Sequence, residues 1–336
     1  MITSRAFARL RRIGLDILPP VVSRVVSRHI VRRFGPALQP GRNVDVRMPP
    51  PVVRNQTELD DAIRCADEAG AVSDDALRQV LASFRYEYHR ALPADPFSEA
   101  YRQAQYEIYR HISGRESYDS ARDEATPIRV EDMLRHPFPY GTQSTHTIGE
   151  QLIMQGFVLR ALGLKAGASV LEFGPGWGNT TLHLAQAGFK VTAVDVFGDY
   201  LELIQRRAKQ IGADVETIQR DMLEYRDDRR FDAALFFECF HHCADHLRML
   251  RQLHDLVADD GVIVFGAEPI GPMTMPWGIR LDGMSVWSIR KFGWFELGFE
   301  PAYFSAALRR TGWAAASMTS GDVPHCNVYV ARKRTH

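Results

Sequence analysis

Three glycines at alternate positions, Gly174, Gly176 and Gly178, follow directly on an apolar run in VLEFGPGWGNTTLHLA, residues 170–185. At the carboxyl end of a parallel strand the chain turns sharply into a helix. Glycine, with no Cβ and free access to positive φ, permits both that turn and the close approach of a ligand. The N–H groups that open the next helix favour an electron-rich ligand group. The spacing G-P-G-W-G departs from the dinucleotide pattern G-x-G-x-x-G: the third glycine comes one position early, and Pro175 removes an N–H that a pyrophosphate would use. A diphosphate ligand is therefore disfavoured.

Carboxylates accompany the turn. Glu172 lies two residues before the first glycine, Asp195 closes the run KVTAVD, and Asp221 closes IQRD. Singly, such strand-end acids often cap the following helix. Three at successive strand ends form a line across the mouth of one sheet, able to reach a cationic group, a pair of ribose hydroxyls and an adenine amino group. At the end of the fourth run, in FDAALFFECFHHCADH, His241 and His242 can act as general bases near neutral pH, and Glu238 can orient one of them. Cys239, Cys243, His242 and His246 also offer i, i+4 pairs to a metal. Closed zinc sites usually carry paired C-x-x-C halves, and no second half is present, so no metal is assigned.

These residues need a sheet to align them. The runs SVLEFG, KVTAVD, VETIQRD, FDAALFFE and GVIVFGAE alternate with helical stretches, the signature of a parallel sheet with helices on both faces. WAAASMTS and CNVYVARK add two further strands. Upstream, the segment opening at Thr57, which serves as N-cap, and the segments SDDALRQVLASFRYEYHRAL and SEAYRQAQYEIYRHISG read as helices. The expected organisation is a basic leader over 1–47, a helical cap region over 48–137 and a Rossmann-like domain over 138–336, with an aromatic insertion at about 269–300. The segment Phe138 to Leu152 brings Tyr140, Gln143 and His146 as further contacts. The insertion reads either as a lid that stacks on an acceptor or as a satellite core. Arg280, Arg290 and Lys291 within it read either as contacts to an anionic acceptor or as solvated surface charge.

Composition bounds the rest. With 336 residues, 45% hydrophobic and 24% charged, the chain is long enough for one or two cored domains. Formal net charge is zero, but residues 1–47 hold ten arginines against two acids, a balance of +8 that leaves −8 on the remainder. The body offers no footprint for extended nucleic-acid binding. Four scattered cysteines suit a reducing, cytoplasmic setting. No apolar run reaches the roughly 18 residues that span a bilayer. In residues 21–34, apolar side chains at helical spacing alternate with Arg24, Arg28, Arg32 and Arg33. This amphipathic leader suits peripheral contact with the inner membrane face, or packing on its own protein or on a second copy in a homodimer.

Glu172, Phe173, Gly174, Pro175, Gly176 and Gly178, then Asp195 with Val196, then Asp221 with Met222, resemble the motifs of class I S-adenosylmethionine-dependent methyltransferases, over roughly residues 145–332. The PYGTQSTHTIGEQL segment with Gln143 resembles members from small-molecule and polysaccharide pathways. The resemblance implies a doubly wound α/β fold with a seven-stranded sheet of order 3-2-1-4-5-7-6, the last strand antiparallel. It also implies S-adenosyl-L-methionine as cofactor. These acids and glycines would then bind it, and His242, before His241, would serve the acceptor. The expected reaction is O-methylation of a small molecule or glycan. A non-catalytic cofactor-binding module stays open; a nicotinamide-dependent oxidoreductase lacks the required glycine spacing. A nucleic-acid acceptor is disfavoured, because the fourth strand ends FFEC rather than in the aromatic-proline tetrapeptide of such enzymes.

Overall fold

A computed structural model of the protein describes residues 46–319 and 326–334. The basic leader, with its helix over 21–34, lies outside the described residues except for Val46 and Arg47. Among the described residues no helix is long and apolar enough to cross a membrane.

Seven strands make the main sheet: β1 (Ser169–Phe173), β2 (Lys190–Asp195), β3 (Val215–Gln219), β4 (Phe231–Phe237), β5 (Val257–Gly266), β6 (Trp313–Thr319) and β7 (Asn327–Lys333). Their order across the sheet is 3-2-1-4-5-7-6. Strands β1 to β5 pair in parallel, and β7 runs antiparallel to both β5 and β6. The fold is the doubly wound α/β arrangement that the alternating runs predict. Central strands need apolar side chains on both faces, and Val170, Leu171 and Phe173 of β1 and Ala233, Ala234, Leu235 and Phe236 of β4 are all buried.

The chain winds from β1 outward to β3, then returns to lay β4 on the other side of β1. That reversal opens a crevice at the carboxyl ends of the strands, where α/β proteins bind ligands. Phe173, Phe236 and Phe265 lie side by side on β1, β4 and β5 with ring centroids 5.1 and 5.3 Å apart. They form an aromatic row in the core beneath the sheet.

The first cap helix begins two residues earlier than its sequence suggests. Asn55, not Thr57, caps the Gln56–Val72 helix, its side chain accepting the Glu58 N–H at 3.0 Å. The helix expected over residues 73–92 stops at Ser83. Beyond it Phe84, Tyr86 and Tyr88 recur at every second position, the period of a strand rather than a helix. Arg85–Tyr86 accordingly pairs in parallel with Val52–Val53. The third helix, Glu99–Ser113, has Ser98 as N-cap and ends at Gly114.

The aromatic insertion packs on these cap helices. A short antiparallel pair, Trp277–Ile279 with Leu297–Phe299, brackets a helix over Gly283–Phe292. Trp277, Trp287, Phe295 and Phe299 are buried. Tyr101 donates its hydroxyl to the Trp277 carbonyl at 3.0 Å, Tyr109 to the Gly293 carbonyl at 2.7 Å, and the Gln105 side chain accepts the Ile279 N–H at 3.0 Å. Cap and insertion thus share one core. Arg280, Arg290 and Lys291 are tied to Asp282, Asp60 and Asp67 at 2.8, 2.6 and 2.7 Å, so they serve the surface of this core.

Candidate functional site

The glycine turn leaves β1 with Gly174 at φ +58° and Gly176 at φ +50°. A Cβ on Gly174 would collide with the Cys239 side chain at the end of β4, so glycine lets the two strand-end loops close on each other. A Cβ on Gly176 would meet no protein atom within 4 Å; this residue presents its backbone to a cavity. Gly178 instead lies against Ile204 of the Gly198–Gln210 helix. Three glycines in one motif therefore serve loop packing, ligand approach and helix packing.

The cavity measures about 480 Å³ and opens at the carboxyl ends of β1, β2 and β4, a size suited to a small molecule or cofactor. Its described lining holds seven aspartates and glutamates, one arginine (Arg220) and no lysine. Such a wall attracts a cation and repels a diphosphate.

Asp195, Val196, Asp221 and Met222 line this cavity. Burial pushes the Asp195 carboxyl up to about 6, opposed by the N–H groups of Phe197, Gly176 and Val196 that favour the ionised form. The Phe197 bond is 2.9 Å long. Asp221 accepts the Leu223 N–H at 2.6 Å and the hydroxyl of Ser120, which belongs to the short cap helix Ser120–Asp123. The cap is thereby fastened to the third strand-end acid.

Other residues of the motif act from beneath. Glu172 is buried outside the lining and accepts the Thr181 hydroxyl at 2.6 Å; burial pushes its carboxyl up to about 7. Phe173 belongs to the buried aromatic row, and Phe173, Pro175 and Gly178 are not part of the lining. Gln143 is exposed and outside it, at φ +54° after a short 3-10 turn. His146 is exposed beside Glu150, and Tyr140 borders a separate surface groove with Asn179 and Arg207.

Glu238, His241 and His242 also line the cavity. Glu238 follows β4 at φ +52°, a conformation that costs a non-glycine residue energy and that gathers at functional sites. Nδ1 of His241 lies 2.8 Å from Glu268, whose carboxylate also accepts the backbone N–H groups of Cys239, Phe240 and His241 at 2.9, 2.8 and 3.1 Å. Nδ1 of His242 lies 3.2 Å from Glu124. Glu124 accepts the Phe295 N–H at 2.7 Å and the Tyr118 hydroxyl at 2.9 Å, and burial pushes its carboxyl up to about 8. The two imidazole centroids are 4.0 Å apart.

Sequence reasoning passed over Glu268 and Glu124. Glu268 follows the end of β5 as the other acids follow theirs, a signal that was present. Glu124 stands in an irregular stretch of the cap with no such mark. His246, weighed with the cysteines as a metal ligand, is instead in the core: its Nε2 meets the Tyr303 hydroxyl at 2.8 Å, its ring packs on Trp277, and burial pushes it down to about 3.

A family model described as a methyltransferase domain matches residues 148–317. Among curated proteins, the (S)-coclaurine N-methyltransferase of Thalictrum flavum subsp. glaucum is 30% identical over 30% of this chain and 28% of its own length. A ubiquinone biosynthesis O-methyltransferase of Actinobacillus pleuropneumoniae is 27% identical over 30% of this chain and 45% of its own. The chain thus spans under half the length of these relatives. Among solved structures, the N-methyltransferase NodS of Bradyrhizobium japonicum, in complex with S-adenosyl-L-homocysteine, aligns at TM-score 0.45 and 16% identity, over 65% of this chain and 100% of that one.

Proposed function

The chain belongs to the family of S-adenosylmethionine-dependent methyltransferase domains, and from that premise we propose that it methylates a hydroxyl of a small-molecule or glycan acceptor. The observation that carries the reading is the acid-lined cavity at the point where the strand order reverses. Its residues fit a nucleoside with a cationic tail: Asp195 for the ribose hydroxyls, Asp221 and Met222 for the base, and the open backbone face of Gly176 for the tail. Glu172 acts at one remove, holding Thr181 and with it the start of the helix that follows the turn.

When bound, the cofactor supplies a methyl carbon on a sulfonium that is displaced in line and leaves its bonding pair on sulfur. The protein's part is to exclude water, align the acceptor and receive a proton. Glu238, His241 and His242 form the wall that receives it, the two rings backed by Glu268 and Glu124. A neutral, hydroxyl-rich acceptor suits this wall, since lysine and arginine other than Arg220 are missing from the described lining.

Calorimetry with S-adenosylhomocysteine and NAD, followed by transfer of labelled methyl to a panel of phenols and glycosides, tests the proposal. The expected result is binding of the first nucleoside only and label on an acceptor oxygen. Binding of NAD in its place, or cofactor binding with no transfer to any hydroxyl compound, would overturn it.

A further inference from the structure

We propose that His241, His242 and Glu296 hold a divalent first-row transition-metal ion in the wall of the cavity. Among the described residues, one ligand atom from each of these three side chains lies within 4.8 Å of the other two. Around an ion with ligands at about 2.1 Å, donor atoms stand roughly 3–4 Å apart. Small rotations of the side chains would close the set.

The surroundings are built as metal-binding imidazoles require. A ligand histidine commonly gives its other ring nitrogen to a carboxylate, which fixes the tautomer and turns the ring. Here Nδ1 of His241 faces Glu268 at 2.8 Å and Nδ1 of His242 faces Glu124 at 3.2 Å. Both backing acids are themselves held, Glu268 by three backbone N–H groups and Glu124 by the Phe295 N–H and Tyr118. Glu296 is 3% exposed and next to the strand Leu297–Phe299, with its carbonyl accepting the Arg280 N–H at 2.9 Å.

Two imidazoles and one carboxylate suit manganese, iron, cobalt or zinc better than magnesium or calcium, which prefer oxygen alone. Three protein ligands also leave open positions. This part of the inference rests on the methyltransferase reading: an acceptor hydroxyl entering such a position would hold its proton less tightly, and the proton would pass to the carboxylate of Glu238.

The test uses the full chain, free of any affinity tag and treated with chelator, titrated calorimetrically with Mn²⁺, Zn²⁺ and Mg²⁺ while S-adenosylhomocysteine binding is measured in parallel. Manganese binding is followed independently by electron paramagnetic resonance. The expected result is one equivalent of Mn²⁺ or Zn²⁺, with Mg²⁺ at least tenfold weaker. Glu296→Gln should weaken the ion at least tenfold, and Glu124→Gln about tenfold through the ring it orients, both with nucleoside affinity retained. Should Glu296→Gln fail to fold, His242→Asn carries the same expectation. Protein that binds the nucleoside but no ion, or that binds the ion equally well in these variants, would overturn the inference and leave the methyltransferase reading standing. Protein that binds the ion but no nucleoside would do the reverse.

Discussion

Glu124, from the helical cap, places a carboxylate oxygen 3.2 Å from Nδ1 of His242, which follows β4 of the sheet. Cap and sheet meet again where Ser120 donates to Asp221. The cap therefore meets the cavity wall at both Asp221 and His242, and its position bears on how the His242 ring is turned.

Replacing His242 by alanine should lower turnover at saturating acceptor by about 10² to 10⁴, the usual contribution of a group that takes the acceptor proton or holds the ion that loosens it. Binding of S-adenosylhomocysteine should be retained. Glu124→Gln, which keeps the shape but replaces the carboxyl facing Nδ1 by an amide, should lower kcat by about tenfold with a smaller change in KM. Steady-state kinetics on both variants check this. Unchanged kcat would remove the pair from the reaction.

Asp195→Asn should weaken S-adenosylhomocysteine by about 1.5–3 kcal/mol, the worth of hydrogen bonds to a charged acceptor. The Phe197 N–H can still be accepted by the amide oxygen, so thermal unfolding should shift little. Calorimetry and a melting curve on the same sample separate the two effects.

The glycines predict contrasting losses. Gly174→Ala puts a Cβ into Cys239 at positive φ and should cost about 1–3 kcal/mol of stability. Gly176→Ala meets no protein atom and should cost only the roughly 1–2 kcal/mol of its left-handed backbone, while nucleoside affinity falls steeply. Denaturant titrations with and without S-adenosylhomocysteine read both. Equal behaviour of the two variants would contradict the assignment of Gly176 to the ligand face.

Buried acids set the pH response. Glu172 rises from an ordinary 4.5 to about 7, and Asp195 from 3.8 to about 6, each chiefly through burial. The folded state then binds protons more tightly than the unfolded one, so stability without ligand should fall as pH rises from about 4 to 7. Glu172→Gln should flatten the upper part of that slope. Nucleoside binding has the opposite sign: Asp195 accepts hydroxyls best when ionised, and affinity should weaken as pH falls below about 6. Unfolding and calorimetry at pH 5, 6, 7 and 8 measure both trends.

Much of the fold was legible because it depends on local pattern. Buried parallel strands must be apolar on both faces, so runs such as SVLEFG and FDAALFFE declare themselves, and the turn after β1 needs glycine for steric reasons visible in one dimension. The helix expected beyond Ser83 failed where aromatic spacing changed from helical to alternating, a signal that was readable but overlooked. The insertion was ambiguous because burial of Trp277 or Phe295 depends on what packs above them, here Tyr101 and Tyr109 of the cap.

The amino-acid sequence by itself determined the order of strands and helices, the glycine turn, and the strand-end positions of Asp195, Asp221 and the histidine pair. Each follows from the periodicity of side chains along a strand and from the conformations a residue type permits. Only the tertiary structure decided which carboxylates back the imidazoles and that Glu296 joins them. Those partners are distant along the chain and lie on different elements, and no local pattern encodes a distance that exists only once sheet, cap and insertion have packed together.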